Sequence, residues 1–165
     1  MCAAVALLPG GLDFGVVERV RRRYTPEASF EATALACLRH WNGPALYLEA
    51  GFGLTKVEEA QFDREPIPAR RPVPRFRVLK VVPNHSARTA SLYIPPRKEV
   101  PKSSLLSQMF QGEGAFPEGA EFTRIEDLRD WGLSRRRSNR ARPVQMQALL
   151  RRTRVIALVV DPGSE

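Results

Sequence analysis

Eight arginines lie between Asp130 and Asp161, in a stretch of the chain that contains no acidic residue. They are Arg135, Arg136, Arg137, Arg140, Arg142, Arg151, Arg152 and Arg154. The 165-residue chain has 26 basic and 18 acidic residues, so its formal net charge of +8 comes entirely from these eight. A guanidinium group is planar, stays charged and matches the geometry of phosphate oxygens. Positive charge gathered in one segment therefore predicts a polyanionic partner, and nucleic acid is the first candidate.

A tyrosine and two further cations extend this candidate site to a predicted pair of strands. Tyr93 lies on the polar face of its strand, where an exposed ring can stack on a base, whereas Phe76 is expected in the core. Arg77 and Lys80 belong to the neighbouring strand and make its face basic. We therefore predict that the eight arginines, Tyr93, Arg77 and Lys80 contact nucleic acid, with RNA and DNA both open. No catalytic residue, metal ion or cofactor is predicted.

Two other functions remain open from the sequence. The basic segment can instead dock an acidic protein within a larger assembly. A magnesium-dependent nuclease is the other alternative, because Glu58, Glu59 and Asp63 lie together upstream of Lys80, and carboxylates hold the metal ions of such enzymes. The same acids also fit the solvent-facing side of a short helix, so the sequence favours a non-enzymatic protein.

Two shorter motifs carry less information. The glycine loop expected at residues 51–53 follows a strand, as phosphate-binding loops do, but it lacks the glycine spacing of either common phosphate-binding motif. Cys37 and His40 are three residues apart on a predicted helix, but no second Cys/His pair completes a tetrahedral metal site. Neither motif is predicted to be a functional site.

The cysteine count and the N-terminal segment bear on the compartment. Cys2 and Cys37 do not make a disulfide framework, which favours a reducing, intracellular compartment, either cytoplasmic or nuclear. The apolar run at residues 2–8 is too short to span a bilayer, so no membrane partner is expected. The oligomeric state is left open.

The length and the mixture of element types predict one domain over residues 1–165, of class α+β or α/β. We expect a mixed β-sheet of about five strands with flanking helices. The prolines at residues 66–74 predict an extended connector, and residues 134–142 are expected to form an arginine-rich exposed loop.

Local patterns place the individual elements. Strands are predicted at Phe14–Val20, Ala45–Glu49, Phe76–Val82, Thr89–Ile94 and Val155–Val160, with the third and fourth paired as a hairpin. The last run is apolar without alternation, which is typical of a central strand covered on both faces. Helices are predicted from Thr25 to Gly43, from near Thr55, over Ser104–Gln111, from the capping box of Thr123 and Glu126 to Trp131, and from Pro143 onward.

Overall fold

The computed structural model of the protein describes residues 11–111, 116–132 and 142–162. Its helices are α1 (Phe14–Tyr24), α2 (Phe30–His40), α3 (Lys56–Arg64), α4 (His85–Thr89) and α5 (Leu105–Gln111), with a short 3₁₀ turn at Pro68–Arg70. Its strands are β1 (Ala45–Gly53), β2 (Arg75–Pro83), β3 (Glu121–Asp127), β4 (Pro143–Arg151) and β5 (Arg154–Val160). Within the described ranges, no helix has the length and apolarity needed to cross a membrane.

The strands form one sheet in the order β2-β1-β5-β4-β3. This confirms the α+β class and the expected sheet of about five strands with flanking helices. The four pairings between neighbouring strands are all antiparallel, so the expected mixture of parallel and antiparallel pairs was wrong for the described strands. Antiparallel neighbours need no long crossover, and β4 and β5 are accordingly joined by a tight turn after Arg151.

Strand β5 lies in the centre of the sheet, as its continuous apolar run predicts. Its residues from Val155 to Val159 are all buried, because helices and loops cover both faces. One face packs against α1 and α2, which contribute Phe14, Val17 and Leu38 to the core. The other face packs against α4, α5 and the segments that carry Leu92, Ile94, Leu128 and Trp131.

Residues 14–20 form the first part of α1, so the strand predicted there was wrong. Val16, Val17 and Val20 are buried at helical spacing, and the Asp13 side chain accepts a hydrogen bond from the Val16 N–H at 2.6 Å as an N-cap. The β-branched residues suggested a strand, but packing of one helical face overrides this weak preference. Helix α2 follows and is confirmed, although its N-cap is Ser29 rather than Thr25.

Two predicted helices in the C-terminal part are strands. Thr123 and Glu126 belong to β3 and do not form a capping box. Glu126 is buried, and its carboxylate accepts hydrogen bonds from the Leu105 N–H at the start of α5 and from the indole Nε1 of Trp131 at 3.0 Å. Pro143 begins β4, whose alternate residues Val144, Met146 and Ala148 all enter the same core. Buried positions that alternate with period two are typical of a strand, so the helix predicted from Pro143 onward was wrong.

The second strand of the predicted hairpin is also absent at residues 89–94. The chain forms α4 after Asn84, whose side chain accepts a hydrogen bond from the Ala87 N–H at 2.8 Å, and then turns. The segment that lies beside the outer edge of β2 is residues 97–100 instead, where the Val78 N–H donates to the Lys98 carbonyl at 2.8 Å. The strands at Ala45–Glu49 and Phe76–Val82 and the helices near Thr55 and over Ser104–Gln111 are confirmed.

A β-bulge interrupts the pairing of β1 with β2. Glu49 lies opposite Lys80 and Ala50 lies opposite Val78, so Leu79 has no partner residue on β1. The glycines predicted to form a loop lie inside β1, and the Leu79 side chain covers them. A Cβ atom at Gly51 would lie 2.9 Å from Cδ1 of Leu79 and 3.2 Å from the carbonyl oxygen of Thr153, and one at Gly53 would lie 2.9 Å from Cδ2 of Leu79.

This close contact predicts that Gly51→Ala destabilises the protein by about 1–3 kcal/mol, since an overpacked site must shift its neighbours. The double variant G51A/L79A should recover part of the loss, because Leu79 is the nearest obstacle and the Thr153 carbonyl remains. The measurement is urea unfolding followed by circular dichroism. Gly11→Ala is the control, because a Cβ there would meet nothing within 4 Å. A G51A variant as stable as the unmodified protein would contradict this account.

Candidate functional site

The predicted arginines divide into two sets. Arg135, Arg136, Arg137 and Arg140 lie outside the described residues, as does most of the predicted loop 134–142. The other four are described, and they lie at the two ends of β4. Arg142 directly precedes the strand, whereas Arg151 ends it and Arg152 and Arg154 follow in the turn to β5.

Arg142 contacts the segment of chain that carries Tyr93, the predicted stacking residue. Its guanidinium donates from Nη1 to the carbonyl oxygen of Ser91 at 3.1 Å, and from Nη2 to Asp161 at 3.2 Å. Tyr93 follows two residues later and is 55% exposed, while its neighbours Leu92 and Ile94 are buried. The structure thus places Arg142 in contact with Ser91, two residues before Tyr93, although the two segments are far apart in sequence.

The other described arginines are not part of the same surface. The helix expected after Pro143 is instead strand β4, which separates Arg142 from Arg151 by about 30 Å, the length of nine extended residues. Arg151 lies over the ring of Phe30, with its Cζ 5.6 Å from the ring centroid. Arg152 is largely exposed and forms a 3.3 Å ion pair with Glu118, which is also exposed.

Arg154 and Lys80 are brought together on the face that carries α2. They converge on two carboxylates, Glu49 of β1 and Glu31 of α2, and we call these four residues the charge cluster. Arg154 donates to Glu49 at 2.6 Å, and Lys80 donates to Glu31 at 2.6 Å. Longer ion pairs close the cluster, from Lys80 to Glu49 at 3.6 Å and from Arg154 to Glu31 at 3.7 Å.

The charge cluster is balanced, with two carboxylates and two cations around a buried centre. The side chain of Glu49 is 6% exposed, whereas those of Lys80 and Arg154 are 43% and 41% exposed. The hydrogen bond from Lys80 lowers the pKa of Glu31, and the same contact raises the pKa of Lys80. The Tyr47 hydroxyl donates to Glu49 at 3.0 Å, and burial together with that carboxylate raises the pKa of Tyr47. These shifts favour the charged forms of Glu31 and Lys80.

Arg77, the remaining predicted cation, is buried. Its guanidinium donates to the carbonyl oxygen of Arg97 at 3.1 Å and to Glu58 at 3.3 Å. The Nε atom has no hydrogen-bond partner in the described part of the chain. Arg77 therefore joins β2 to α3 and to the segment beside it, and only 10% of its side chain is exposed to a ligand.

The acids of the alternative nuclease site have separate partners. Glu58 closes a capping box with Thr55 and contacts Arg77, while Glu59 pairs with Arg97 at 2.6 Å. Asp63 is exposed on the following turn of α3. Across residues 11–111, 116–132 and 142–162, no group of three or more His, Cys, Asp or Glu side chains is arranged to hold a metal ion.

Sequence reasoning missed Glu31 and Glu49. Glu49 did carry a signal, because it is a single acid within the apolar run of β1 and so was bound to need a cationic partner once buried. Glu31 carried no such signal beyond its place in the first turn of a helix.

Comparison with known proteins finds no family model that matches this chain and no curated protein with significant sequence similarity to it.

We expect the Glu49–Arg154 pair to contribute measurably to stability, because Glu49 is buried and its loss leaves two cations unmatched. A double-mutant cycle with Glu49→Gln and Arg154→Met should give a coupling energy of about 1–2 kcal/mol in urea unfolding. The matched control is the exposed pair Glu118 and Arg152, for which E118Q and R152M should give less than about 0.5 kcal/mol. Equal coupling in both cycles would contradict a structural role for the charge cluster.

Acid should unfold the protein through its paired carboxylates. Hydrogen bonds from Arg21 and Arg22 lower the pKa of Glu18 to about 2, and the pKa values of Glu31, Glu58 and Asp127 are also lowered by their partners. A carboxylate with a lowered pKa stabilises the fold above its unfolded pKa and loses this contribution as the pH falls toward its folded pKa. The urea midpoint should therefore be flat from pH 7 to about 5 and fall steadily below pH 4.5. The fall should be smaller in Glu31→Gln, and an unchanged midpoint at pH 3 would count against these pairs.

Proposed function

We propose that this protein binds nucleic acid, with arginines that end at Arg142 contacting phosphates and with Tyr93 stacking on a base. The observation that carries the proposal is the hydrogen bond from Arg142 to Ser91, which attaches Arg142 two residues away from Tyr93, whose ring is exposed. Cations beside an exposed aromatic ring are the combination that single strands require, since phosphates and bases are then met together.

The position of Tyr93 supports a stacking role. Leu92 and Ile94 are 1% and 0% exposed, so the chain on either side of Tyr93 is anchored in the core while its ring projects outward. Arg88 of α4 is exposed close by, because the Ser91 N–H donates to the Arg88 carbonyl at 3.2 Å. The exposed Arg88 is thus five residues before Tyr93 in the chain, and the Arg142 guanidinium contacts the segment between them.

Ion pairs within the protein reduce the number of predicted cations that can contact a phosphate. Arg154, Lys80 and Arg77 neutralise carboxylates of the same chain, and a phosphate would have to displace these acids at the cost of leaving them unpaired. Arg142 pairs with a partly exposed Asp161, and Arg151 has no carboxylate partner in the described ranges. The proposal therefore rests on the Arg142 end of β4, with Arg151 and Arg152 as a separate basic site. A cytoplasmic or nuclear location would suit such a ligand.

Binding to a 20-nucleotide mixed-sequence single strand, as DNA and as RNA, should be tight at 50 mM salt and much weaker at 200 mM by fluorescence anisotropy. Replacing Arg135, Arg136 and Arg137 by glutamine should lower the slope of log K against log salt by about 2, since each lost phosphate contact removes about 0.7. Tyr93→Ala should cost about 1–3 kcal/mol of binding energy, while Tyr93→Phe should retain most of it.

The control removes the same charge elsewhere, by replacing the exposed residues Arg19, Arg39 and Lys102 with glutamine. If this triple variant weakens binding as much as the R135Q/R136Q/R137Q variant, the effect is one of net charge and the proposed site is wrong. Absence of any binding at low salt would remove nucleic acid as the ligand, and an acidic protein would then be the partner to test.

A further inference from the structure

The segment that connects β1 to β2 is long, and none of its residues is buried. From Leu54 to Pro74, every residue is exposed or only partly buried, including all of α3. Val57, Ile67 and Val73 are 78%, 44% and 77% exposed. A nine-residue helix has little stability of its own in water and normally gains it by packing an apolar face. Among the apolar residues of α3, only Phe62 is partly buried, beneath the guanidinium of Arg71, while Val57 and Ala60 are exposed.

One face of α3 is attached to the protein by charged groups. Glu58 contacts Arg77 at 3.3 Å and Glu59 contacts Arg97 at 2.6 Å, and the capping box at Thr55 fixes the first turn. The opposite face lines an open groove of about 510 Å³. The lining residues are Lys56, Val57, Ala60, Gln61, Arg64 and Glu65.

These residues repeat every four positions, which is the spacing of a ridge that packs into a groove of another helix. Ala60 lies at the middle of the face, and its small side chain allows a second helix to approach closely. Val57 and the aliphatic stem of Arg64 lie on either side of it, one turn away in each direction. The face is therefore shaped for a helix that crosses near Ala60.

The charges along one edge of this face can pair with the same charges on a second copy of the chain. Lys56 and Asp63 lie on the same edge, two turns apart, and both are exposed. If a second α3 packs antiparallel about a two-fold axis that passes midway between Glu59 and Ala60 along the helix, Lys56 of each chain comes level with Asp63 of the other. The axis thus forms the same ion pair twice.

We propose that α3 is the contact of a symmetric dimer, in which a second copy of this chain covers the exposed face. The interface is isologous, so one patch serves both partners. Because it involves one short helix from each chain, it belongs among the small, weak interfaces. This proposal stands apart from nucleic-acid binding, because the residues that carry it differ from those of the Arg142 end.

Charge reversal at the proposed ion pair tests this arrangement by sedimentation equilibrium from 10 µM to 1 mM in low salt. Lys56→Asp and Asp63→Lys should each weaken dimerisation at least tenfold, because each places two like charges opposite one another. The double variant K56D/D63K should return to within threefold of the unmodified chain. An equimolar mixture of the two single variants should form heterodimers, since both cross-chain pairs are then of opposite sign.

Two further variants separate this contact from general effects of charge and folding. Lys102→Asp makes the same charge change outside α3 and should leave dimerisation unchanged. Ala60→Arg fills the centre of the face and should give a monomer with an unaltered circular dichroism spectrum, because Ala60 is exposed in the single chain. An unmodified chain that is monomeric at 1 mM overturns the proposal. So does a dimer that survives K56D, D63K and A60R, since it must use another surface.

Discussion

The fold depends on removing both faces of β5 from water. Five consecutive apolar residues of this strand are buried, and a strand of that kind can lie only inside a sheet that is covered on both sides. The antiparallel neighbours β1 and β4 satisfy its backbone, while α1 and α2 on one face and α4 and α5 on the other supply the two covering layers. The segments that connect these elements, including the exposed residues 54–74 before β2, need only be long enough to join one strand to the next.

Burial of Glu49 within this sheet imposes a second constraint. A carboxylate so far from water requires compensating charge, and β2, β5 and α2 all contribute to the site around it. The consequence is that the number of cations in the chain overstates the number available to a ligand. Lys80, Arg77 and Arg154 pair with carboxylates of the same protein, which leaves the net charge unchanged but removes these cations as ligand contacts. Only cations with exposed or weakly held partners can contact an external anion.

The sequence predicted best where a pattern had a single physical explanation. The unbroken apolar run of β5 allows one structure, a central strand covered on both faces, and the sequence predicted it. Errors arose where a short pattern fitted two structures. Thr123 and Glu126 resemble a capping box but belong to a strand, where Glu126 binds the first turn of α5 instead. The contact of Arg142 with Ser91 and the convergence of Arg154 and Lys80 on Glu49 depend on tertiary packing and strand order, which short-range patterns do not contain.

The bulge at Leu79 shows why Lys80 could not be placed from alternation alone. Strict alternation puts Phe76, Val78 and Lys80 on one face, but the extra residue turns Lys80 to the opposite face, where it meets Glu31 and Glu49. Strand β2 thus contains one residue more than its pairing with β1 requires. Deleting Leu79 would shorten the strand without exchanging its inward and outward sides, and Lys80 would still lie opposite Glu49. A chain without Leu79 would therefore keep the same core and gain room for a side chain at position 53, whereas the Thr153 carbonyl would still crowd position 51.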